Sequence, residues 1–206
     1  MLLAIDTSSG TSVAVVDDRG ALLAERSEAD TMRHAEVVGR LIQESLAAAG
    51  ATGADIGAVA VGMGPGPFTG LRVGIAAARA FAFGRGVPAL PVVSHDALAL
   101  AALREGREPG FLVVTDARRR ELYWSAYAGL DEQGLPVRVD GPGLDKPGSL
   151  PFPELPRLEA PSVSAAALGA VAALGRAAGR PSAADAPLYL RSPDVTLSAG
   201  PKRVTA

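Results

Sequence analysis

The densest run of chemically suggestive residues is Gly62-Met-Gly-Pro-Gly-Pro-Phe-Thr-Gly-Leu-Arg-Val-Gly74, with glycines at 62, 64, 66, 70 and 74. It lies between an apolar run, Ile56 to Val61, and an apolar helical run, Leu71 to Phe83. That order predicts strand, tight loop, helix. Glycine permits left-handed backbone or close approach of another chain or a ligand. Pro65 and Pro67 stiffen the loop and remove two donors. A bare loop at a helix N-terminus suits an anion. It equally suits a specialised turn that faces structure or a partner. The named phosphate motifs do not fit, because the only lysines are Lys146 and Lys202 and Pro67 stands where a dinucleotide fingerprint needs glycine.

His34 and His95 are the only histidines. Neither has a second ligand at helical spacing, so a metal site would need carboxylates to complete it. Neither has a serine and acid partner in the sequence, which leaves a hydrolase triad unsupported. His34 reads as structural or interfacial. Arg118-Arg-Arg120 is a short basic cluster beside Tyr123 and Trp124. It suits a nucleic-acid contact or a solvated turn before a strand whose aromatics pack inside.

These residues must be positioned by an alternation of strands and helices. Leu2–Ile5, Thr11–Val16 and Ala21–Arg26 read as a three-stranded meander. Arg33–Ala49 is an amphipathic helix with Val37, Val38, Leu41, Ile42, Leu46 and Ala49 on one stripe. Asp30 or Thr31 is its expected cap, and Gly50 its end. His34 falls on the apolar stripe. Ile56–Val61 reads as a strand buried on both faces. The helix from Thr69 to Phe83, with Thr69 as N-cap, is apolar nearly all round and is expected to be buried on several sides. Arg72 and Arg79 interrupt it on one face. Ala89–Val93 is a short strand, and Ser94 caps a helix to Leu103. Phe111–Thr115 and Leu122–Ala128 read as strands joined by a turn at Arg118–Glu121. Residues 141–161 read as a proline- and glycine-rich connection with little regular structure. Ser162–Ala178 is an alanine-rich helix, Pro187–Pro193 a short extended segment, and the last dozen residues are expected to fray.

Asp6-Thr-Ser-Ser-Gly-Thr11 resembles the first phosphate loop of the superfold shared by actin, sugar kinases and Hsp70. In that superfold the Asp helps to hold hydrated magnesium while hydroxyls and amides approach phosphate. The alternative is an ordinary hydroxyl-rich hairpin turn. The order strand, Asp, polar turn, strand, Gly recurs from Phe111, which is the skeleton of an actin-like two-lobed fold. The second turn, Asp116-Ala-Arg-Arg-Arg-Glu121, has neither glycine nor hydroxyl, whereas an actin-like nucleotide site needs phosphate loops from both lobes.

Bulk properties narrow the classes. The 206 residues are 48% hydrophobic and 20% charged, enough for a sizeable core. A net charge of −2 gives no global attraction to nucleic acid or anionic membranes. Without cysteine there is no disulfide framework and no thiolate metal site. The start of the chain does not read as a signal peptide, so none is expected, and no apolar run reaches the ~18 residues of a membrane span. A cytoplasmic protein with no membrane role is expected.

The glycine-proline motif closely resembles that of the TsaB (YeaZ) family. Leu3-Ala-Ile-Asp-Thr-Ser8, Arg33-His-Ala-Glu36, Asp116-Ala-Arg118 and Pro187-Leu-Tyr-Leu-Arg191 also look like the family's pattern. The resemblance implies an α/β, actin-like (ribonuclease H-like) fold in two lobes with the second abbreviated. The expected division is 1–100 for an N-terminal lobe carrying partner-binding helices, 101–195 for the C-terminal lobe and 196–206 for a flexible tail. It further implies a non-catalytic subunit without cofactor or metal. Such a subunit pairs with the catalytic paralogue TsaD, recruits the ATPase TsaE, and supports transfer of a threonylcarbamoyl group to an adenosine beside the tRNA anticodon. The paralogue's His-x-x-x-His metal motif has no counterpart here. Family knowledge places the partner surface on Arg33–Ala49 and Leu71–Phe83, with His34, Val38, Leu41, Ile42, Arg72, Ile75 and Arg79 as expected partner-binding residues. A homodimer alone, exchanged for a heterodimer with TsaD, follows, with tRNA met through the complex. Two other classes stay open: an actin-like ATPase or small-molecule kinase working through Asp6, and a metallopeptidase, which the lack of paired ligands opposes.

Overall fold

The computed structural model describes residues 1–191. The expected tail at 196–206 and the end of the segment expected over Pro187–Pro193 lie outside the described residues. Two sheets form the frame. In the first, β1 (Leu2–Asp6), β2 (Thr11–Val16) and β3 (Leu22–Glu28) make the antiparallel meander, while β4 (Ala58–Gly62) and β5 (Ala89–Val92) continue parallel to β1, giving the order β3-β2-β1-β4-β5. Helices α1 (His34–Ala48), α2 (Phe68–Arg85) and α3 (Ser94–Arg104) connect and flank it.

Side chains alternate across a strand, and the two faces of this sheet carry different sizes. Leu3, Ile5, Val13, Val15, Val59 and Val61 pack under α1 and α2. On the opposite face Ala4, Ala14, Ala58 and Ala60 meet α3 and α4 (Ala165–Ala177). Small residues let α4 approach closely: a Cβ at Gly169 would lie 2.9 Å from Val16 Cγ2. Although α4 is late in sequence, it therefore roofs the first sheet. Phe111, Val113 and Tyr127 of the second sheet join the same core.

The second sheet repeats the first in shortened form. Its strands β6 (Phe111–Asp116), β7 (Leu122–Leu130), β8 (Pro136–Asp145) and β9 (Arg157–Glu159) have the order β8-β7-β6-β9, with β9 parallel to β6. The turns repeat too. Asp17 and Asp131 each accept the amides two and four residues on through Oδ1, and Gly20 and Gly134 close both turns at positive φ. Among the described residues no helix covers the outer face of this sheet; Leu112, Val114 and Trp124 are covered by Leu150, Phe152 and Leu155.

Several local expectations are corrected. Residues 141–161 carry the second half of β8 and all of β9 rather than a structureless connection. β8 is an edge strand, where Pro142 breaks no ladder, and its glycines leave room for Trp124: a Cβ at Gly143 would overlap the indole. The N-caps of α1 and α2 are Arg33 and Pro67, without side-chain caps, so Asp30, Thr31 and Thr69 do not serve. Ser94 begins α3 instead of capping it, and its hydroxyl is used elsewhere. α2 buries one stripe (Leu71, Gly74, Ile75, Ala78, Ala82) and leaves Phe83 91% exposed, so it is not surrounded. Its alanines and glycines are small residues for close packing on one side only.

Candidate functional site

Asp6 ends β1 with its carboxylate 2% exposed. Oδ1 accepts the Ser8 amide at 2.8 Å and the Ser8 hydroxyl at 2.6 Å; Oδ2 accepts the Ser94 hydroxyl at 2.5 Å. Burial raises its pKa above 3.8, with the Ser8 and Ser94 bonds pulling the other way. Ser94 in turn accepts the Gly64 amide. The next residue is equally committed: Thr7 Oγ1 donates to Gly70 O at 2.7 Å and accepts from Gly74 N at 3.2 Å.

The glycine-proline motif is the other half of this seam. A Cβ at Gly62 would overlap Asp6 Oδ2, and one at Gly74 would overlap Thr7 Oγ1. At Gly66 it would stand 2.8 Å from Ser8 Cα, and at Gly70 2.7 Å from Thr7 O. Gly64 takes φ 90°. Gly62, Gly66, Gly70 and Gly74 thus let β4, the loop and the start of α2 press against the first hairpin turn, while Gly64 supplies the positive φ and meets Leu71. Both carboxylate oxygens of Asp6 are held by protein donors, and Gly62 and Ser94 pack against Oδ2. The arrangement fits a docking clamp and does not fit the magnesium role of the phosphate-loop reading.

Beyond the seam lies a cavity of about 520 Å³ between the two sheets. Ser8, His34, Thr69, Arg118, Tyr123 and Arg191 are among its walls. His34, at the start of α1, is buried, with Nδ1 2.8 Å from Thr11 Oγ1. Burial lowers its pKa, against the raising influence of Asp6 and Asp30. Across the cavity, Arg118, Arg119 and Arg120 all take left-handed backbone, with φ of 62°, 53° and 61°. This is costly for three side-chain-bearing residues in a row. Asp116 Oδ1 accepts the Arg118 amide at 2.8 Å, so the second turn repeats the Asp-to-i+2 bond of the first. The aromatics after it, Tyr123 and Trp124, are buried, as the solvated-turn reading expects.

The seven expected partner residues scatter. Val38, Leu41 and Ile75 are buried in the core at 8%, 2% and 4% exposure, on the inward stripes of α1 and α2, and cannot meet a partner directly. Ile42 is partly buried against the same core, and His34 faces the cavity. Arg72 and Arg79 are exposed but engaged. Arg72 lies 3.7 Å above the Phe68 ring and donates to the Tyr189 hydroxyl; Arg79 pairs with Asp185 at 2.6 Å. These contacts tie α2 to a strap, residues 183–191; its second half is legible in the sequence as an extended segment, but its docking on α2 is not. Ala183 N donates to Pro91 O, Leu188 N to Met63 O, and Arg191 Nη1 to Ala117 O. The strap has no secondary-structure periodicity, so only its match to a family pattern signalled it.

His95 is wholly buried, bonded to Ser125 at Nδ1 and Thr115 at Nε2, with burial lowering its pKa to about 3. It ties α3 to β6 and β7. Among the described residues no group of three or more His, Asp or Glu is arranged to hold a metal. No described helix is long and apolar enough to cross a membrane.

Residues 23–178 match the family model described as TsaD: tRNA N6-adenosine threonylcarbamoyltransferase. The chain is 42% identical to an uncharacterized protein of Mycobacterium tuberculosis, over 94% of this chain and 92% of that one. It is 36% identical to the Escherichia coli tRNA threonylcarbamoyladenosine biosynthesis protein TsaB, over 65% of this chain and 57% of the relative. YeaZ from Pseudomonas aeruginosa superposes with a TM-score of 0.77 at 28% identity, covering 92% of this chain and 99% of that structure. With the repeated sheet order, this likeness establishes the α/β, actin-like two-lobed fold, its second lobe abbreviated.

Proposed function

The chain belongs to the tRNA N6-adenosine threonylcarbamoyltransferase (TsaD) family, and from that premise we propose that it serves threonylcarbamoyladenosine formation in tRNA as a non-catalytic, TsaB-type subunit. It works in the cytoplasm by binding TsaD and recruiting the ATPase TsaE. The observation that carries this reading is the likeness to the TsaB proteins of Escherichia coli and Haemophilus influenzae, at 36% and 35% identity. Chemistry supports the non-catalytic part. The first turn's carboxylate is occupied by Ser8 and Ser94, and the second turn offers arginines in place of a phosphate loop. The same facts weigh against a kinase or ATPase working through Asp6.

Residues 1–100 form the partner-binding lobe, and 101–195 the abbreviated one. The contact surface is the outward side of α2, where Ala76, Ala80 and Phe83 recur at helical spacing and are exposed. An uncovered apolar stripe of this kind suits a helix of a partner. A second copy covers it in isolation, and TsaD displaces that copy in the complex. Arg72 and Arg79 border the stripe through the strap they hold.

Threonylcarbamoyl transfer to tRNA in a reconstituted mixture tests the role. Activity that requires this chain, and that the chain alone never shows, is the expected result. Activity unaffected by its omission would overturn the reading.

A further inference from the structure

A second cavity, of about 380 Å³, lies beside β5 and shares no lining residue with the one between the turns. Leu90, Val92, Leu135, Val171 and Ala172 give it apolar walls. β5 forms one side, the C-terminal half of α4 another, and the entry to β8 a third. These walls are tied to one another. Arg180, just past α4, pairs with Asp131 at 2.7 Å and donates to Gln133 at 2.8 Å, which holds the end of the helix to the turn between β7 and β8. Asp131 also accepts the Leu135 amide at 2.9 Å. Ala183 N donates to Pro91 O at 3.1 Å and fastens the strap to the β5 edge. A concave, largely apolar site whose walls are fixed in advance gives up little freedom on binding.

Among the described residues, Asp96 in the first turn of α3 is the one acid that lines this cavity. Its two oxygens are used unequally. Oδ1 accepts the Tyr127 hydroxyl at 2.6 Å and lies 3.1 Å from Arg138 Nε. Oδ2 has no partner among the described residues. The side chain is 18% exposed. Burial raises its pKa, against the lowering influence of Arg138 and the Tyr127 bond. A part-buried carboxylate oxygen without a protein donor is open to the N–H of a ligand. Three guanidinium groups stand around the cavity. Arg138 is paired at Oδ1, and Arg180 is held by Asp131 and Gln133. Arg176 is exposed at the rim, where salt and solvent screen it. The last turn of α4, with Gly175 and Arg176 on the wall, presents the negative end of its helix.

We propose that this cavity binds an organic ammonium ion, a primary amine carried on an apolar chain. The ammonium donates to Asp96 Oδ2, and the chain lies along Leu90, Leu135 and Val171. An anion of the same shape meets the Asp96 carboxylate and is refused. A neutral alcohol gains the apolar wall and one uncharged bond only. The site stands apart from the Asp6 clamp and does not depend on the subunit role proposed above. Gly175 offers a way to close it. A Cβ there would meet nothing within 4 Å, so a larger side chain grows into the cavity without displacing a neighbour. Leucine also favours helix over glycine at that position.

The test is NMR titration of the nitrogen-labelled full chain at neutral pH with hexylammonium, hexanoate and hexanol. Hexylammonium is expected to shift the Asp96, Leu135, Ala172 and Gly175 amides. It should bind about tenfold more tightly than hexanol, as a charge-assisted bond exceeds a neutral one. Hexanoate is expected not to bind. Asp96→Asn keeps an oxygen for the Tyr127 hydroxyl and is expected to bring hexylammonium down to the affinity of hexanol. Gly175→Leu is expected to abolish binding of both, with the melting temperature unchanged or higher. Hexanol or hexanoate binding as tightly as hexylammonium, absence of saturable shifts at the cavity, or undiminished binding in Asp96→Asn or Gly175→Leu would overturn the proposal.

Discussion

The two hairpin turns, Asp6–Thr11 and Asp116–Glu121, occupy equivalent places in two sheets of the same order, and they have been put to opposite uses. Each begins with an Asp that accepts the amide two residues on. In the first turn that carboxylate is buried and clamped by Ser8 and Ser94, with four glycines bringing β4 and α2 against the turn. In the second, Asp116 is exposed and three arginines take left-handed backbone at the cavity mouth. The turn that looks like a phosphate loop is spent on structure. The turn that does not look like one lines the open space. Residue type alone names a chemistry; whether the atoms are free to perform it depends on what packs against them.

The largest effect is expected at the glycines. Gly62→Ala drives a methyl into the Asp6 carboxylate, and Gly74→Ala one into Thr7, each costing about 3 kcal/mol or more in chemical denaturation. At the second turn the sign reverses: Arg120→Gly relieves positive φ and should raise stability by about 0.5–1 kcal/mol. Equal losses at both turns would break the contrast.

Asp6→Ala strands the Ser8 amide and the Ser8 and Ser94 hydroxyls, and should cost about 3 kcal/mol. Asp116→Ala releases one exposed amide and should cost less than about 1 kcal/mol. Proton linkage separates the turns further. Asp6 has a folded pKa above its unfolded 3.8, so its neutral form favours the fold, and wild-type stability falls as pH rises from 3.8 through the folded value. Asp6→Asn removes that slope, measured as the denaturation midpoint against pH. His95 works the other way: its folded pKa of about 3 lies below 6.5, so the unfolded chain takes up the proton first and stability falls as pH drops below 6.5. A His95→Gln variant should lose that acid sensitivity.

The smallest effects test the duplication itself. Asp17→Ala and Asp131→Ala remove the same pair of bonds from matching turns and should lower the melting temperature by similar, small amounts. A far larger loss at Asp131 would assign its weight to the Arg180 ion pair instead.

Strand-forming runs with β-branched residues, and the periodic stripe of α1, were legible because local pattern and burial agree. The meander, the parallel strands and the repeat from Phe111 follow from them. β8 was hidden because Pro142 and its neighbouring glycines read as a connection, whereas an edge strand against Trp124 tolerates both. Caps failed because Thr69 and Ser94 compete for other partners or none. At the site, the glycine motif was visible but its use was not. Its contacts with Asp6, Thr7 and Ser8 join residues more than fifty positions apart. Val38, Leu41 and Ile75 lie on the inward side of their helices, since an apolar stripe records the core before it records a partner. The strap that engages Arg72 and Arg79 has no period to read.

The most direct test is to assay Asp6→Asn in the reconstituted threonylcarbamoyl-transfer mixture, at a temperature where the variant is folded. The clamp account predicts lower stability with transfer activity retained. A folded Asp6→Asn protein that no longer supports transfer would contradict it and return the first turn to chemistry.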